Sequence, residues 1–207
     1  MTEETPQEKP VVLTDRVRRL TRDILDPTGR FLHRLGIHPD TITIAGLVMV
    51  AIASVFIAQG EFIAGGIILL LGLPFDALDG AVARAMQRTD KFGAVLDSVL
   101  DRYADGFIFA GLSYYFAVQD QFELMLLAVA ALLGSLLVSY VRARADGVHV
   151  ETKIGLFTRL ERIVVILIML LIPGLLTIGL VILAVGTNIT ALQRLWFVYK
   201  TLKNRGG

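Results

Sequence analysis

The sequence predicts an all-α integral membrane protein, with six transmembrane helices preceded by an amphipathic interfacial helix. Three observations carry this. The 207 residues are 55% hydrophobic with a net charge of only +1, and the mean hydropathy is +0.66, too oily for a domain whose solvent is water. The apolar residues fall into runs near the roughly 20 residues that a helix needs to cross a bilayer. Lys and Arg collect in every second connection between those runs, which is the asymmetry that fixes orientation in a membrane.

Residues 1–10 are acidic and polar and read as a disordered tail. With no apolar stretch before Thr41, no cleaved signal peptide is expected. Residues 11–36 set Val12, Leu13, Val17, Leu20, Ile24 and Leu25 against Arg16, Arg18, Arg19 and Arg22, the pattern of a helix lying in the membrane interface and broken near Pro27. The membrane domain follows over residues 37–200. Its first span starts at Pro39, with Asp40 or Thr41 as the cap, and runs from Thr41 to Ala58. The next spans are Phe62–Ala85, Phe92–Val118 and Phe122–Val141. The fifth and sixth, Gly155–Ile172 and Leu175–Tyr199, turn at Pro173-Gly174. Residues 201–207 form a basic tail.

The N-terminal segment, the link from Arg84 to Lys91, the stretch from Arg142 to Lys153 and the C-terminal tail are basic. The turns at Gln59-Gly60-Glu61, Asp120-Gln121 and Pro173-Gly174 lack Lys and Arg. Both termini are therefore expected in the cytoplasm, with the protein in the cell membrane. Gly65-Gly66 and the glycines of the sixth span point to close helix packing. The absence of Cys rules out a disulfide framework.

Against this apolar background the stretch Phe75–Gly106 holds Asp76, Asp79, Asp97, Asp101 and Asp105. Burying carboxylates near one another is costly, so acids inside a membrane mark a functional site. Asp76, Asp79, Gly80, Ala83 and Arg84 share one helical stripe; Gly93, Asp97, Asp101 and Asp105 share another. The short polar link from Met86 to Lys91 makes these helices antiparallel neighbours with facing stripes. Hard oxygen ligands without any thiolate suit Mg²⁺, Mn²⁺ or Ca²⁺. Gly80, Ala83 and Gly93 leave room for a ligand against the backbone, and Arg84 offers a fixed cation for a phosphate. From the 1.5 Å rise, the acids lie within about 10–18 Å of the cytoplasmic helix ends, so the site faces the cytoplasm.

The residues D76-x2-D79-G80-x2-A83-R84-x8-G93-x3-D97-x3-D101 resemble the full signature of the CDP-alcohol phosphotransferases, with eight fixed positions at the expected spacing. The resemblance implies two divalent cations, Mg²⁺ or Mn²⁺, held by Asp76, Asp79, Asp97 and Asp101, with Asp101 also the general base. It implies a CDP-linked lipid donor, CDP-diacylglycerol in a bacterium or CDP-archaeol in an archaeon. Asp40, Thr43, Gly80, Ala83, Arg84, Asp90 and Gly93 would bind that donor. At Asp90 the relatives carry Thr; here Thr89 is the neighbour.

The metal motif does not choose the acceptor alcohol. The second half of the chain supplies Ser139, Arg142, Arg144, Arg159 and Arg162 at the cytoplasmic ends of the fourth and fifth spans. It also supplies Arg194 inside the sixth, amid Ile189, Leu192, Leu195, Trp196 and Phe197. Arg142 at a helix end can snorkel to the headgroups, and so can Arg194 beside Trp196. A cluster of guanidiniums also matches phosphate oxygens and repels choline or ethanolamine. SYVRARADG, GLFTRLERIVV, ALQRL and LDRYADG resemble the phosphatidylinositol phosphate synthase branch, over nearly all of Arg34 to Tyr199. That branch has Lys where Arg142 stands. The resemblance implies that Ser139, Arg142, Arg159, Arg162 and Arg194 hold the phosphate of inositol 1-phosphate, that the product is phosphatidylinositol phosphate, and that the protein is a homodimer.

Glycerol 3-phosphate, whose phosphate fits the same arginines, is the alternative acceptor. A cation transporter is the alternative outside enzymes. It would place acids near the midplane between repeated halves, not in adjacent helices beside arginines. His33 and His38 are expected to contact headgroups, and His149 to be exposed in a loop. No nucleic-acid partner is expected.

Overall fold

The computed structural model describes residues 25–87, 91–152 and 154–205. All regular structure in these residues is helical. Helix α1 covers residues 25–34, followed by α2 (Pro39–Ala58), α3 (Phe62–Ala85), α4 (Phe92–Val118), α5 (Phe122–Asp146), α6 (Arg159–Leu171) and α7 (Leu176–Arg205). The tail at 1–10, the basic face at 11–24, and Asp90 with Thr89 lie outside the described residues, as does the end of the basic tail at 206–207.

By length and composition α2, α3, α5 and α7 can each cross a membrane. The other two long segments differ for separate reasons. Helix α4 has the length, 27 residues, but carries the acid stripe. Helix α6 has only 13 residues, about 20 Å at 1.5 Å per residue, against a hydrocarbon core of about 30 Å.

Helix starts follow local chemistry. Pro39 opens α2, but the cap is neither Asp40 nor Thr41: His38 is the N-cap, and its Nδ1 accepts from the Asp40 backbone N–H at 3.3 Å. His38 therefore satisfies a helix end, the job that free N–H groups of a first turn require. Pro27 lies in the first described turn of α1, and the chain turns after the helix at Gly36, whose φ of +75° suits glycine. Helix α6 starts late, at Thr158, whose backbone N–H donates to the Glu161 carboxylate at 2.9 Å in a capping box. Residues 155–157 are consequently loop rather than the first turn of a span.

Helix α2 packs on both α3 and α4, α5 packs on α4 and α7, and α6 on α3 and α7. A core of Ala53, Ile57, Phe109, Leu112, Phe116, Met169, Leu170, Leu180 and Leu183 ties these together. Helices α3 and α4, expected as neighbours with facing stripes, line one cavity with those stripes but do not pack directly on each other among the described residues. Their facing stripes repel and carry small residues, so α2 bridges them and a cleft remains between.

Small residues set the close approaches. A Cβ on Gly111 of α4 would stand 2.6 Å from the Ser54 carbonyl oxygen of α2, and one on Gly134 of α5 would collide with Thr187 Oγ1 of α7. Gly66 similarly faces Leu171, and Gly179 faces Met169, in line with the packing read from the glycines. Ser54 Oγ also donates to the Phe107 carbonyl at 2.5 Å, pinning α2 to α4. Gly111→Leu must therefore part these helices. It is expected to lower stability by about 1–3 kcal/mol, read as a lower unfolding temperature of the detergent-purified protein. An unchanged melt would show that α2 and α4 are not clamped here.

Candidate active site

Helix α3 delivers Asp76 and Asp79, α4 delivers Asp97, Asp101 and Asp105, and α6 brings Arg159 and Arg162 in its first turns. They meet at the junction of three cavities.

The first cavity, between α2, α3 and α4, is lined by Pro39, Asp40, Thr43, Asp76, Asp79, Gly80, Ala83, Gly93, Ala94 and Asp97. Nearly the whole set expected to hold the donor's headgroup is thus in one place. Thr43 Oγ1 donates to Asp79 Oδ2 at 2.7 Å and fixes that carboxylate. One expected member, Asp90, is outside the described residues, and one stands apart. Arg84 Nη2 pairs with Asp26 of α1 at 3.0 Å and does not line the cavity.

The second cavity, about 900 Å³ and polar, gathers Ser139, Arg142, Arg159, Arg162 and Arg194 with Ser98, Asp101, Arg102 and Asp146. Every residue expected to hold the acceptor lies on this wall. Arg194 does not snorkel: it is 3% exposed, its Nε donates to the Ile154 carbonyl and its Nη1 to the Val138 carbonyl at 2.9 and 2.8 Å. Arg162 is also 3% exposed, and its Nη2 donates to Asp105 Oδ2 at 2.9 Å.

The third cavity is apolar, running past Leu47, Val50, Leu69, Leu73, Ile108, Ile163, Ile166 and Leu167 to a polar end made by Thr43, Asp76, Asp101, Asp105 and Arg159. Asp76 and Thr43 belong also to the first cavity, Asp101 and Arg159 also to the second. The three cavities are therefore linked in series through shared side chains, the first to the third at Thr43 and Asp76 and the third to the second at Asp101 and Arg159.

Arg159 Nη2 stands 2.6 Å from Asp76 Oδ2 and 2.6 Å from Asp101 Oδ1. Among the described residues no three Asp, Glu or His side chains converge tightly enough to hold a metal ion. The donor chemistry still fits a hard divalent cation: four carboxylates act on one another's charge, and a cationic nitrogen already sits between two of them. The guanidinium bridges Asp76 and Asp101.

Two residues were not assigned to the site from sequence. Arg102 lies beside Asp101, with Nη1 3.7 Å from Oδ2, and bonds the Ser98 carbonyl. Asp105 anchors Arg162. Both stand in the LDRYADG stretch, and Asp105 continues the four-residue step of the acid stripe, which was the available signal.

Comparison with known proteins places the chain in a family. A model of the CDP-alcohol phosphatidyltransferase family matches residues 36–192, and the chain belongs to that family. It is an enzyme of the phosphatidyltransferase class. The chain is 37% identical to the phosphatidylinositol phosphate synthase of Streptomyces avermitilis over 92% of its own length and 84% of the relative's. It is 35% identical to the archaetidylinositol phosphate synthase of Methanothermobacter thermautotrophicus, over 92% and 96%. The crystal structure of Mycobacterium tuberculosis phosphatidylinositol phosphate synthase with CDP-DAG bound superposes with a TM-score of 0.80 at 33% identity, covering 87% of this chain and 94% of that one. The same mycobacterial enzyme has been solved in complex with manganese and citrate, with a TM-score of 0.78 to this chain.

Proposed function

We infer that this enzyme transfers a phosphatidyl group from CDP-diacylglycerol to a hydroxyl of inositol 1-phosphate, giving phosphatidylinositol phosphate and CMP. The observation that carries this reading is the sharing of Asp101 by the apolar and polar cavities and of Asp76 by the apolar and first cavities, with all five expected acceptor residues on one polar wall. Relatives named for phosphatidylinositol phosphate and archaetidylinositol phosphate synthesis support the same acceptor class.

In this reading the donor's cytidine and diphosphate occupy the cavity of Asp40, Thr43, Gly80, Ala83 and Gly93, where small residues let a ligand approach the backbone. Arg84 and Asp90 are proposed at its edge by family resemblance. The acyl chains lie along the apolar groove from Leu47 to Leu167. Ser139, Arg142, Arg159, Arg162 and Arg194 bind the acceptor phosphate through charge-assisted hydrogen bonds. Asp101, open to both the polar and apolar cavities, takes the proton of the attacking hydroxyl. A new P–O bond forms to the lipid-linked phosphorus as the bond to the CMP oxygen breaks. Asp76, Asp79, Asp97 and Asp101 hold the divalent ions, proposed as two of Mg²⁺ or Mn²⁺. When bound, these ions supply charge stabilisation to the phosphoryl oxygens and the leaving CMP.

The six-span topology belongs to the same proposal, with α4 and α6 completing the set of four apolar helices. The acids of α4 face the cleft rather than lipid, and α6 reaches the interface through its loop. Basic connections put the termini and the site on the cytoplasmic side. Assembly as a homodimer rests on family resemblance.

An acceptor screen tests the reading. Detergent-purified protein with CDP-diacylglycerol and Mg²⁺ or Mn²⁺ receives inositol 1-phosphate, inositol, glycerol 3-phosphate or serine, with CMP as readout. CMP release with inositol 1-phosphate alone is expected. Release with glycerol 3-phosphate instead would reassign the arginine wall to a smaller phosphate, and no release with any acceptor would overturn the reading.

A further inference from the structure

Arginine side chains on the polar wall are not held alike. Arg162 is fixed by Asp105, and Arg194 by two carbonyls. Arg159 is different: its side chain is 38% exposed, and its contacts are the two carboxylates Asp76 and Asp101. It stands at the boundary of the apolar and polar cavities and lines both. A guanidinium nitrogen 2.6 Å from two carboxylate oxygens occupies space that a divalent ion bound to those oxygens at about 2.0–2.6 Å would need. A guanidinium and a divalent cation pressed into that gap would repel one another through a few ångströms of poorly screened medium.

We propose that Arg159 is an internal counter-cation of the metal site. It neutralises Asp76 and Asp101 while they hold no divalent ion, and swings into the polar cavity toward the acceptor phosphate when a divalent ion takes those carboxylates. The inference rests on the metal and acceptor assignments above and adds a coupling between them. One side chain cannot serve both partners, so metal binding frees a phosphate ligand, and phosphate binding frees two metal ligands. Linkage makes that coupling equal in both directions. It favours an acceptor pocket that is fully assembled only once the metal is in place.

The test is a binding measurement. Mn²⁺ is titrated into the detergent-purified full chain, with free Mn²⁺ followed by electron paramagnetic resonance, in the presence and absence of inositol 1-phosphate. In the wild type, inositol 1-phosphate is expected to tighten Mn²⁺ binding. In Arg159→Ala, Mn²⁺ is expected to bind more tightly without acceptor, within the range of about 5- to 150-fold usual for coupled sites, and the acceptor should no longer change it. Arg159→Gln, which keeps bulk and loses charge, should behave the same and guards against misfolding of the alanine variant. Arg142→Gln controls for general charge, since Arg142 shares the cavity without contacting the acids. Equal or weaker Mn²⁺ affinity in both Arg159 variants overturns the proposal, as does an equal gain in Arg142→Gln. Wild-type protein that binds no Mn²⁺ would overturn the metal-site reading itself, an outcome distinct from Mn²⁺ binding that ignores Arg159.

Discussion

Asp101→Asn is expected to lower kcat by about 10²–10⁴-fold, the range general base catalysis supplies. Asparagine keeps the size and shape of the side chain but cannot accept the hydroxyl proton. Asp101 is the one member of the signature that lines both the apolar groove and the arginine cavity, so the donor's phosphorus and the acceptor's hydroxyl can both reach it. The check is CMP release at saturating substrates, with unfolding temperature and Mn²⁺ affinity measured on the same preparation. Asp76→Asn serves as comparison, because Asp76 lines the donor cavities but not the acceptor cavity. If Asp101→Asn keeps Mn²⁺ affinity while turnover collapses, the loss belongs to proton transfer. A fall in kcat below about tenfold would assign the base to another group.

How far such residues can be read before a fold is known depends on the physics behind each signal. Spans two and three, Phe62–Ala85 and Phe92–Val118, coincide with α3 and α4, because polar turn residues stop the apolar run and the helix together. Helices α5 and α7 run past their apolar stretches to Asp146 and Arg205. Arg142, Arg144, Lys200 and Lys203 are good helix formers, so hydropathy locates the membrane's edge and not the helix's end. The fifth span errs the other way: Gly155 to Phe157 counted as span, yet the capping box at Thr158 and Glu161 starts the helix later.

The site divides along the same line. Fixed spacing within a helix places Asp76 with Asp79, and Asp97 with Asp101, on common faces. It does not reveal whether two faces touch, so the cleft between α3 and α4 was invisible. Contacts between residues far apart in sequence were also beyond reach. Arg84 finds Asp26 across 58 positions, and Arg159 sits on the acids rather than only on the acceptor wall. The five residues expected to hold the acceptor line one cavity, and they could be named together because resemblance carries whole segments, each already tied to its helix.

Asp105→Ala is expected to destabilise the protein by about 3–5 kcal/mol, the cost of removing one partner of a buried ion pair. Asp105 is 8% and Arg162 3% exposed, and Asp105 Oδ2 accepts from Arg162 Nη2 at 2.9 Å. The Nε of Arg162 is buried with no hydrogen-bond partner, so without Asp105 the guanidinium would be a stranded charge. The pair is also a positioning device. It joins the α4 acid stripe to the arginine wall and aims Arg162 into the acceptor cavity.

Stability and positioning separate in two further variants. Asp105→Asn keeps the shape and a hydrogen-bond acceptor but not the charge. It should raise the KM for the phosphorylated acceptor much more than the KM for CDP-diacylglycerol. The double replacement Asp105→Leu with Arg162→Met removes both charges for apolar groups, which is often neutral or stabilising for buried pairs. Its unfolding temperature should recover toward wild type while its use of the acceptor does not. If the double variant melts as low as Asp105→Ala, lost packing rather than a stranded guanidinium explains the instability. If Asp105→Asn leaves the acceptor KM unchanged, Arg162 is oriented by the helix alone and Asp105 only balances its charge.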